Sequence, residues 1–326
     1  MRKEAERVAP GAGAALALTG VAAALGAAAL AGLPPEMGIQ VPAMVAPAGI
    51  AGGVVAGAWA ARRVWGEVGA SLTWRLPLRR PAHAGALPLW IGFCAGTGRM
   101  EAVSLEALPH LLVGGQTRGG KSSFLRQALC GWVAWTQPSA VRVVIVDCKG
   151  GVEFGWLSRA PHVRSVATDE AQAEALLVEV EGAVEGRLAQ MRRANVDDCR
   201  GVPGLGRVVC VVDELAELQE SKECQRSLRR IAARGGAAGV HLLLCTQRPD
   251  RYALPGAVKA NIPATLAYRT RNSVNSEILL DTPGAEELPP HGVALWQWVR
   301  TMRVRTPWLP RAEAQARVAA VGGGVG

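Results

Sequence analysis

The stretch Gly115-Gln116-Thr117-Arg118-Gly119-Gly120-Lys121-Ser122 directly follows the apolar run Leu111-Leu112-Val113. It fits the pattern G-x-x-x-x-G-K-[S/T] at every fixed position, and the next residues, 123–135, are compatible with a helix. A chance match in a chain with 39 glycines is disfavoured because strand, loop and helix agree. The sequence therefore predicts a phosphate-binding loop and, with it, a nucleotide site.

The residue types in this loop suit a bound triphosphate. Glycines let backbone N–H groups approach phosphate oxygens and permit positive φ, and the following helix adds its N-terminal dipole. Lys121 would place a positive charge on the β- and γ-phosphates of ATP, and the Ser122 hydroxyl would ligate Mg²⁺. The predicted nucleotide-binding residues are Gly115, Gln116, Thr117, Arg118, Gly119, Gly120, Lys121, Ser122 and Ser123.

Two further polar groups follow apolar runs downstream. Asp213 and Glu214 come directly after the β-branched run 207–212, so they are expected at the carboxyl end of a strand, where open α/β sheets bind ligands. Asp213 would hold Mg²⁺ through water, and Glu214 would orient or deprotonate the attacking water. Gln247 ends the run 240–247 and would bond the γ-phosphate or that water; the alternative is an ordinary amide at a strand end.

Strand-like and helix-like segments alternate along the chain, which predicts an α/β fold with a mainly parallel sheet. We expect Thr168 and Asp169 to cap a long helix that runs to about Asn195, and another helix to begin at Leu215. The residues from Gly292 to Val304 suggest a hairpin, and 311–326 a flexible tail. The predicted strands are 87–93, 111–113, 141–147, 207–212, 240–247 and 264–270.

The N-terminal region contains no charged residue in 8–35 or in 37–61, and each run exceeds the roughly 20 residues that span a bilayer. We therefore expect a two-helix transmembrane hairpin in 1–66, with helices at about 10–33 and 39–61. Basic residues at both ends place the termini in the cytoplasm. A signal peptide and a buried, alanine-rich helix pair are the alternatives.

Charge and cysteine content narrow the class of protein. The formal net charge of +9 and the pI near 9.6 suit a polyanionic partner or a cytoplasmic membrane face. A basic linker, 67–86, precedes the segment 87–310, which we expect to form one ATPase domain. The seven cysteines show no metal-binding spacing, so reduced, buried thiols are expected.

Several motifs occur in the order seen in DNA translocases of the FtsK/SpoIIIE family, and the resemblance covers about residues 87–305. They are Pro109-His110 before the phosphate loop, Asp147-Cys148-Lys149-Gly150-Gly151-Val152-Glu153, Pro161-His162-Val163, Val211-Val212-Asp213-Glu214, Ala238-Gly239-Val240-His241, Thr246-Gln247-Arg248-Pro249, Lys259-Ala260-Asn261-Ile262-Pro263 and Ser276-Glu277-Ile278-Leu279-Leu280-Asp281. The resemblance implies a RecA-like P-loop motor that forms a homo-hexamer around double-stranded DNA and hydrolyses ATP between subunits.

Three departures from the family pattern stand out. The chain ends soon after the motor motifs, which favours a compact transfer protein over a chromosome pump with a DNA-reading module. Arg118 stands where the loop commonly has glycine, so its φ is expected to be negative. The family's arginine finger falls at Gly235-Gly236 here, so Arg234 is expected to replace it, with Arg269 or Arg271 as alternatives.

Together with the uncharged N-terminal runs, the resemblance implies a membrane-anchored, ATP-driven translocase of double-stranded DNA, in conjugative or mobile-element transfer or in chromosome partitioning. It is expected in the inner cell membrane as a multi-pass protein with its motor in the cytoplasm, and to contact DNA largely without sequence preference. The alternative function is a protein-secretion ATPase of the type VII kind, and a third is a non-hydrolysing membrane hub. Lys149 is expected either to contact DNA or to pair with Asp147 or Glu153.

Overall fold

The computed structural model describes residues 80–82, 85–94, 96–97 and 99–322. The strands are β1 Pro88–Cys94, β2 Arg99–Ser104, β3 His110–Gly114, β4 Val141–Val146, β5 Val163–Ala167, β6 Arg207–Val212, β7 Val240–Thr246, β8 Ala264–Tyr268, β9 Val293–Gln297 and β10 Thr301–Arg305. The helices are α1 Lys121–Trp135, α2 Glu170–Ala194, α3 Lys222–Arg234, α4 Gly256–Lys259, α5 Ser273–Leu280 and α6 Arg311–Gly322.

All ten strands join one sheet in the order β2-β1-β10-β9-β8-β3-β7-β6-β4-β5. The six strands from β8 to β5 are parallel, and their apolar runs are buried because helices cover both faces of the sheet. The predicted α/β fold with a mainly parallel sheet is confirmed.

The strand order places the predicted site residues at one edge of the sheet. β7 lies between β3 and β6, with Gly114 opposite Thr246 and Val212 opposite Leu244. Because these three strands are parallel and in register, the residues that follow each of them emerge side by side. The phosphate loop, the Asp213-Glu214 pair and Gln247 are therefore neighbours in the fold.

The remaining four strands form an antiparallel extension beside β8. The hairpin expected near residues 292–304 is present as β9 and β10, with Met302 opposite Trp296. β1 pairs with β10 on one side and with β2 on the other. The strands β2 and β5 were not predicted, because both are short and carry exposed or half-buried polar residues rather than an apolar run.

Helix boundaries follow local capping. As predicted, Asp169 caps the start of α2, where it accepts a hydrogen bond from the backbone N–H of Gln172, and α2 ends at Asn195. Asn195 adopts a left-handed conformation. The helix expected at Leu215 is only a short 3₁₀ turn, 215–218. The α-helix begins later because the Ser221 side chain caps the first turn of α3 by accepting from the Cys224 N–H.

The segment expected to be a flexible tail is instead a helix over most of its length, so that expectation was wrong. α6 spans Arg311–Gly322 and packs against α1. Ala314 and Val318 lie four residues apart on one face of α6 and are buried in the same core cluster as Phe124 and Leu125 of α1. The apolar stripe in this segment is short, and its role depends on α1.

The predicted transmembrane hairpin, 1–66, and most of the basic linker lie outside the described residues. Within the described part of the chain, no helix combines the length and apolar character needed to cross a bilayer. All seven cysteines are free, and six of them are buried, in keeping with the reduced thiols expected from the sequence.

The packing of α6 on α1 generates a stability prediction. The change Ala314→Asp would bury an unpaired carboxylate and should lower the free energy of unfolding by about 3 kcal/mol or more. The matched control Ala312→Asp, at an exposed position on the same helix, should change it by less than about 0.5 kcal/mol. Urea unfolding of the full-length variants, followed by tryptophan fluorescence, measures both. Equal effects of the two changes would contradict the packed position of α6.

Candidate nucleotide site

The phosphate loop connects β3 to α1 and is fixed from both neighbouring strands. The N–H of Gly115 donates to the carbonyl oxygen of Thr246, at the end of β7, over 3.2 Å. The N–H of Gln116 donates to the carbonyl oxygen of Arg269, just after β8, over 2.8 Å. The loop is thus held at the edge of the sheet by backbone hydrogen bonds that side-chain substitutions leave in place.

The ring and backbone of Tyr268 form the floor of the loop. A Cβ atom at Gly115 would lie 2.7 Å from Cβ of Tyr268, and one at Gly120 would lie 2.6 Å from its Cε1. Tyr268 is fully buried, and its hydroxyl donates to Oγ1 of Thr306 over 2.9 Å. These two loop glycines are therefore required by packing as well as by their positive φ angles of 131° and 136°.

Arg118 departs from the sequence-based expectation, because its φ is +63° rather than negative. The left-handed region costs a non-glycine residue roughly 1–2 kcal/mol. The loop imposes this conformation: Gln116 is bonded to Arg269, and the N–H of Gly119 donates back to the carbonyl of Gln116 over 3.2 Å. Arg118 occupies the turn between them.

Lys121 is the first residue of α1, and its ammonium group points towards the phosphate loop. It donates to the carbonyl oxygens of Gly115 and Gln116, the latter over 3.0 Å. Burial lowers the pKa of Lys121 to about 8, an effect that the nearby Glu214 and Asp213 partly oppose. A buried ammonium beside the loop is a strong point charge for an anionic ligand.

The two serines after Lys121 differ in their surroundings. Ser122 is half-buried at the first turn of α1. Ser123 faces the C-terminal segment: its hydroxyl donates to the carbonyl of Pro307 over 3.3 Å and accepts from the N–H of Leu309 over 2.8 Å. If Ser123 contacts nucleotide as predicted, the contact comes from its backbone N–H.

Asp213 follows β6 and is buried, with its backbone N–H donating to the carbonyl of Val146 over 3.0 Å. Burial raises the pKa of Asp213 to about 6, and the neighbouring Asp147 and Glu214 add to this, whereas Lys149 opposes it. A nearby cation would stabilise the ionised form of this buried carboxylate.

Glu214 is buried and accepts several hydrogen bonds. Its Oε1 accepts from the Thr246 hydroxyl over 3.0 Å, and both carboxylate oxygens lie 3.0 Å from the N–H of Gln247. Its Oε2 lies 3.5 Å from Nζ of Lys149. The end of β7 therefore holds the proposed base through one hydroxyl and one backbone N–H.

Gln247 joins two parts of the site. While its backbone N–H bonds to Glu214, its side-chain Oε1 accepts from the Thr117 hydroxyl over 2.8 Å. The side-chain amide of Gln247 therefore contacts the phosphate loop directly.

Lys149 does not make either ion pair considered from the sequence. Asp147 instead accepts from the backbone N–H groups of Glu153 and Phe154, over 3.0 and 2.9 Å. Glu153 forms its ion pair with Arg126 of α1. Lys149 reaches Glu214 instead, because the loop 147–154 folds back on Asp147.

Of the three candidate arginines, Arg234 lies apart from these groups, whereas the backbone of Arg269 contacts the phosphate loop. Arg234 is in the last turn of α3, before β7 begins, and pairs with Glu185 of α2. It is therefore at the opposite edge of the sheet from the phosphate loop within one subunit. Arg269 and Arg271 follow β8 and are exposed.

Sequence reasoning missed three contributors: Tyr268, Thr246 and the contact of Lys149 with Glu214. Tyr268 and Thr246 each stand at the last position of a strand next to β3, and such strand-end positions are the available sequence signal. The Lys149 contact joins residues 65 positions apart, and no local pattern reveals it.

The acidic groups do not form a closed metal cage. Among the described residues, no group of three or more histidine, cysteine or acidic side chains is arranged to hold a metal ion. Mg²⁺ in nucleotide sites is commonly held by one or two protein groups together with phosphate and water. The hydroxyl of Ser122 and the carboxylate of Asp213 suit that role, because both are oxygen donors and the buried carboxylate favours a cation.

In this parallel sheet the phosphate loop follows β3, and an acidic pair follows β6, which is separated from β3 by one strand, β7. This arrangement defines the class of P-loop nucleotide-binding ATPases. The FtsK/SpoIIIE family profile matches residues 79–207. The DNA translocase FtsK of Tropheryma whipplei is 32% identical over 254 residues, which cover 71% of this chain and 34% of that protein. The chain carries a motor domain of the FtsK/SpoIIIE family, as its motifs predict.

Other comparisons agree on the fold. The DNA translocase FtsK of Corynebacterium glutamicum is 34% identical over 221 residues, covering 61% of this chain and 24% of that protein. The chain thus spans about a third or less of these two relatives. The pCW3 conjugation coupling protein TcpA, in monomer form with ATPgS, superposes with a TM-score of 0.66 at 24% identity and covers 76% of this chain and 75% of its own.

A secretion protein is equally close in fold. The cytoplasmic domain of the type VII secretion ATPase EccC from Thermomonospora curvata superposes with a TM-score of 0.65 at 24% identity. The match covers 76% of this chain and 33% of that one. At such identities the likeness establishes the shared fold.

The positive φ of Arg118 can be tested by paired substitutions. We expect Arg118→Gly to be more stable than Arg118→Ala by about 1 kcal/mol, because only glycine adopts φ +63° without strain. The control pair Thr117→Gly and Thr117→Ala, at a position without positive φ, should show the opposite order. Thermal unfolding of the four variants gives the comparison. Equal stability of the glycine and alanine variants at position 118 would contradict a left-handed conformation at this residue.

The raised pKa of Asp213 predicts a pH-dependent penalty. The folded protein holds this proton up to about pH 6 and the unfolded chain up to about 3.8, so ionisation destabilises the folded state as pH rises through that window. Asp213→Asn should therefore stabilise the nucleotide-free protein by up to about 3 kcal/mol at pH 7.5 and by little at pH 4.

The measurement is urea unfolding at both pH values in EDTA. Asp197→Asn, at an exposed carboxylate, is the control and should show no such pH-dependent gain. A gain from Asp213→Asn that is the same at pH 4 and pH 7.5 would argue against a buried, ionisable Asp213.

Proposed function

We propose that this protein hydrolyses ATP and uses the energy to move double-stranded DNA. The observation that carries the proposal is the meeting of Lys121, Asp213, Glu214 and Gln247 beside a complete phosphate loop, within a domain of the FtsK/SpoIIIE family. The named translocase relatives supply the DNA component of the proposal.

In the proposed reaction, the backbone of residues 115–120 and the Lys121 ammonium bind the triphosphate. Glu214 accepts a proton from a water molecule as the water oxygen bonds to the γ-phosphorus, and the bond from that phosphorus to the β–γ bridging oxygen breaks, releasing ADP. Gln247 orients the water or the γ-phosphate. When bound, Mg²⁺ neutralises phosphate charge, and Ser122 and Asp213 would hold it.

The proposed DNA contact is electrostatic and largely independent of sequence. The formal net charge of +9 suits a polyanion. In the loop after β7, Arg248 and Arg251 are exposed, and Tyr252 is 84% exposed, whereas Lys259 is paired with Asp281 over 2.6 Å. The first three residues are the better candidates for contacts with the DNA backbone.

We also propose a membrane-anchored homo-hexamer whose motor faces the cytoplasm. The uncharged runs in residues 8–61 support the anchor, and an arginine supplied by a neighbouring subunit would complete each site. Arg234 can serve in this way only by exchanging its present partner, Glu185. Conjugative or mobile-element transfer is the preferred biological role because of the likeness to a conjugation coupling protein, and chromosome partitioning is the other.

The second candidate function is protein secretion of the type VII kind. It is favoured by one observation, which is that the secretion ATPase EccC superposes as well as the conjugation protein does. The two functions differ in what should stimulate turnover: duplex DNA in the first, and a secreted polypeptide in the second.

The test is ATP hydrolysis by the full-length protein in detergent micelles, with and without long duplex DNA, over a salt series. We expect DNA to stimulate turnover, and the stimulation to fall steeply with salt because phosphate contacts release counterions. Glu214→Gln should reduce turnover by about 10²–10⁴-fold while ATP still binds, because only the base is lost.

The matched control is Glu220→Gln, a change at an exposed glutamate in the same region, which should leave turnover unchanged. Turnover that ignores DNA at every salt concentration would favour the secretion function. Normal turnover of Glu214→Gln would remove Glu214 from the proposed role.

A further inference from the structure

The contact between Lys149 and Glu214 joins an accessible residue to a buried one. The Lys149 side chain is 40% exposed, whereas the Glu214 side chain is 6% exposed, and Nζ lies 3.5 Å from Oε2. The outer partner can therefore meet a ligand from solution, and the inner partner is the base of the proposed reaction. Any ligand that binds Lys149 acts on a group inside the site.

Both carboxylate oxygens of Glu214 have hydrogen-bond or ion-pair partners in this structure. Oε1 accepts from the Thr246 hydroxyl, the backbone N–H of Gln247 lies 3.0 Å from both oxygens, and Lys149 faces Oε2. Lys149 thus occupies the position beside Oε2 from which a water molecule could donate to that oxygen. Of these donors, Lys149 alone comes from outside β7 and the residue that follows it, and it alone is a flexible side chain.

The loop that carries Lys149 is anchored at Asp147 and has open space at Gly150. Asp147 is buried and binds the N–H groups of Glu153 and Phe154, while the Gly151 N–H donates to its carbonyl over 2.9 Å. A Cβ atom at Gly150 would meet no atom within 4 Å. Lys149 is therefore carried by an anchored loop, and its own side chain is 40% exposed to solvent.

The same loop is tied to the helix that begins at the phosphate loop. Glu153 pairs with Arg126 of α1, and the Arg126 side chain also donates to the carbonyl of Leu309 over 2.9 Å. The frame of Lys149 and the start of α1 are thus held together. The Lys149 side chain can therefore leave Glu214 while the loop backbone and the residues that bind phosphate stay in place.

We propose that Lys149 is a positioning residue that restrains Glu214 until a phosphate of bound duplex DNA takes Lys149 as its ion-pair partner. This inference rests on the proposed function and adds the step by which DNA stimulates turnover. The released Glu214 keeps its bonds to Thr246 and Gln247 and has Oε2 available for the attacking water. The ligand that releases it is a polyanion, in keeping with the positive charge of Lys149 and of the whole chain.

The size of the effect follows from the strength of the contact. A partly exposed ion pair is worth up to about 1 kcal/mol, which corresponds to about a fivefold change in the population of released Glu214. Removal of the Lys149 charge should therefore raise the DNA-free rate about fivefold and reduce the stimulation by DNA by the same factor.

The experiment compares wild type, Lys149→Met and Lys149→Arg as full-length proteins, each with and without duplex DNA. We expect Lys149→Met to raise the DNA-free kcat about fivefold with the KM for ATP unchanged, because Lys149 does not contact the phosphate loop. Lys149→Arg, which keeps the charge, should stay close to wild type. Lys222→Met, at an exposed lysine on α3, is the control and should change neither rate.

The outcomes separate this inference from the proposed function. If DNA stimulates the wild type but Lys149→Met has the wild-type DNA-free rate, or a lower one, the restraint is refuted and the proposed function stands. If DNA fails to stimulate the wild type, the proposed function fails, and DNA as the releasing ligand fails with it. A raised DNA-free rate in Lys149→Met together with a reduced DNA effect supports the inference.

Discussion

The contact between the backbone of the phosphate loop and Tyr268 is the constraint on which the site depends. The loop approaches the backbone of Tyr268 at Gly115 and its ring at Gly120 so closely that neither position has space for a side chain. Backbone hydrogen bonds to Thr246 and Arg269 fix the loop from both sides. The position of Lys121 at the start of α1 follows from this contact, since α1 begins where the loop ends.

A second constraint is electrostatic, because several charged groups are buried close together at the same edge of the sheet. Lys121, Asp213 and Glu214 are each at most 7% exposed. Burial lowers the pKa of Lys121 and raises the pKa of Asp213, so it favours the neutral form of both groups. Opposite charges nearby reduce the cost of burying them. An arrangement of this kind is costly to leave without a ligand and responds strongly to phosphate and metal ions.

Much of the fold and most of the site were predictable because the signals are local. The buried parallel strands appear as apolar runs, Asp169 and Asn195 mark the ends of α2, and the phosphate loop has a fixed pattern. Contacts between distant residues were not predictable, such as Tyr268 beneath the loop and Lys149 beside Glu214. Arg118 was mispredicted because tertiary hydrogen bonds outweigh its local preference for negative φ. α6 was missed because only two of its described residues, Ala314 and Val318, are buried, and they are buried by packing against α1.

The packing of α6 on α1 also affects how the protein is made. The face of α1 that Ala314 and Val318 cover is synthesised about 180 residues before them. At about 5–20 residues per second, a ribosome needs roughly 10–40 s to supply the missing helix. During that interval the helix that begins the nucleotide site presents apolar surface in the nascent chain, which makes this stage of synthesis the natural point for a chaperone to act.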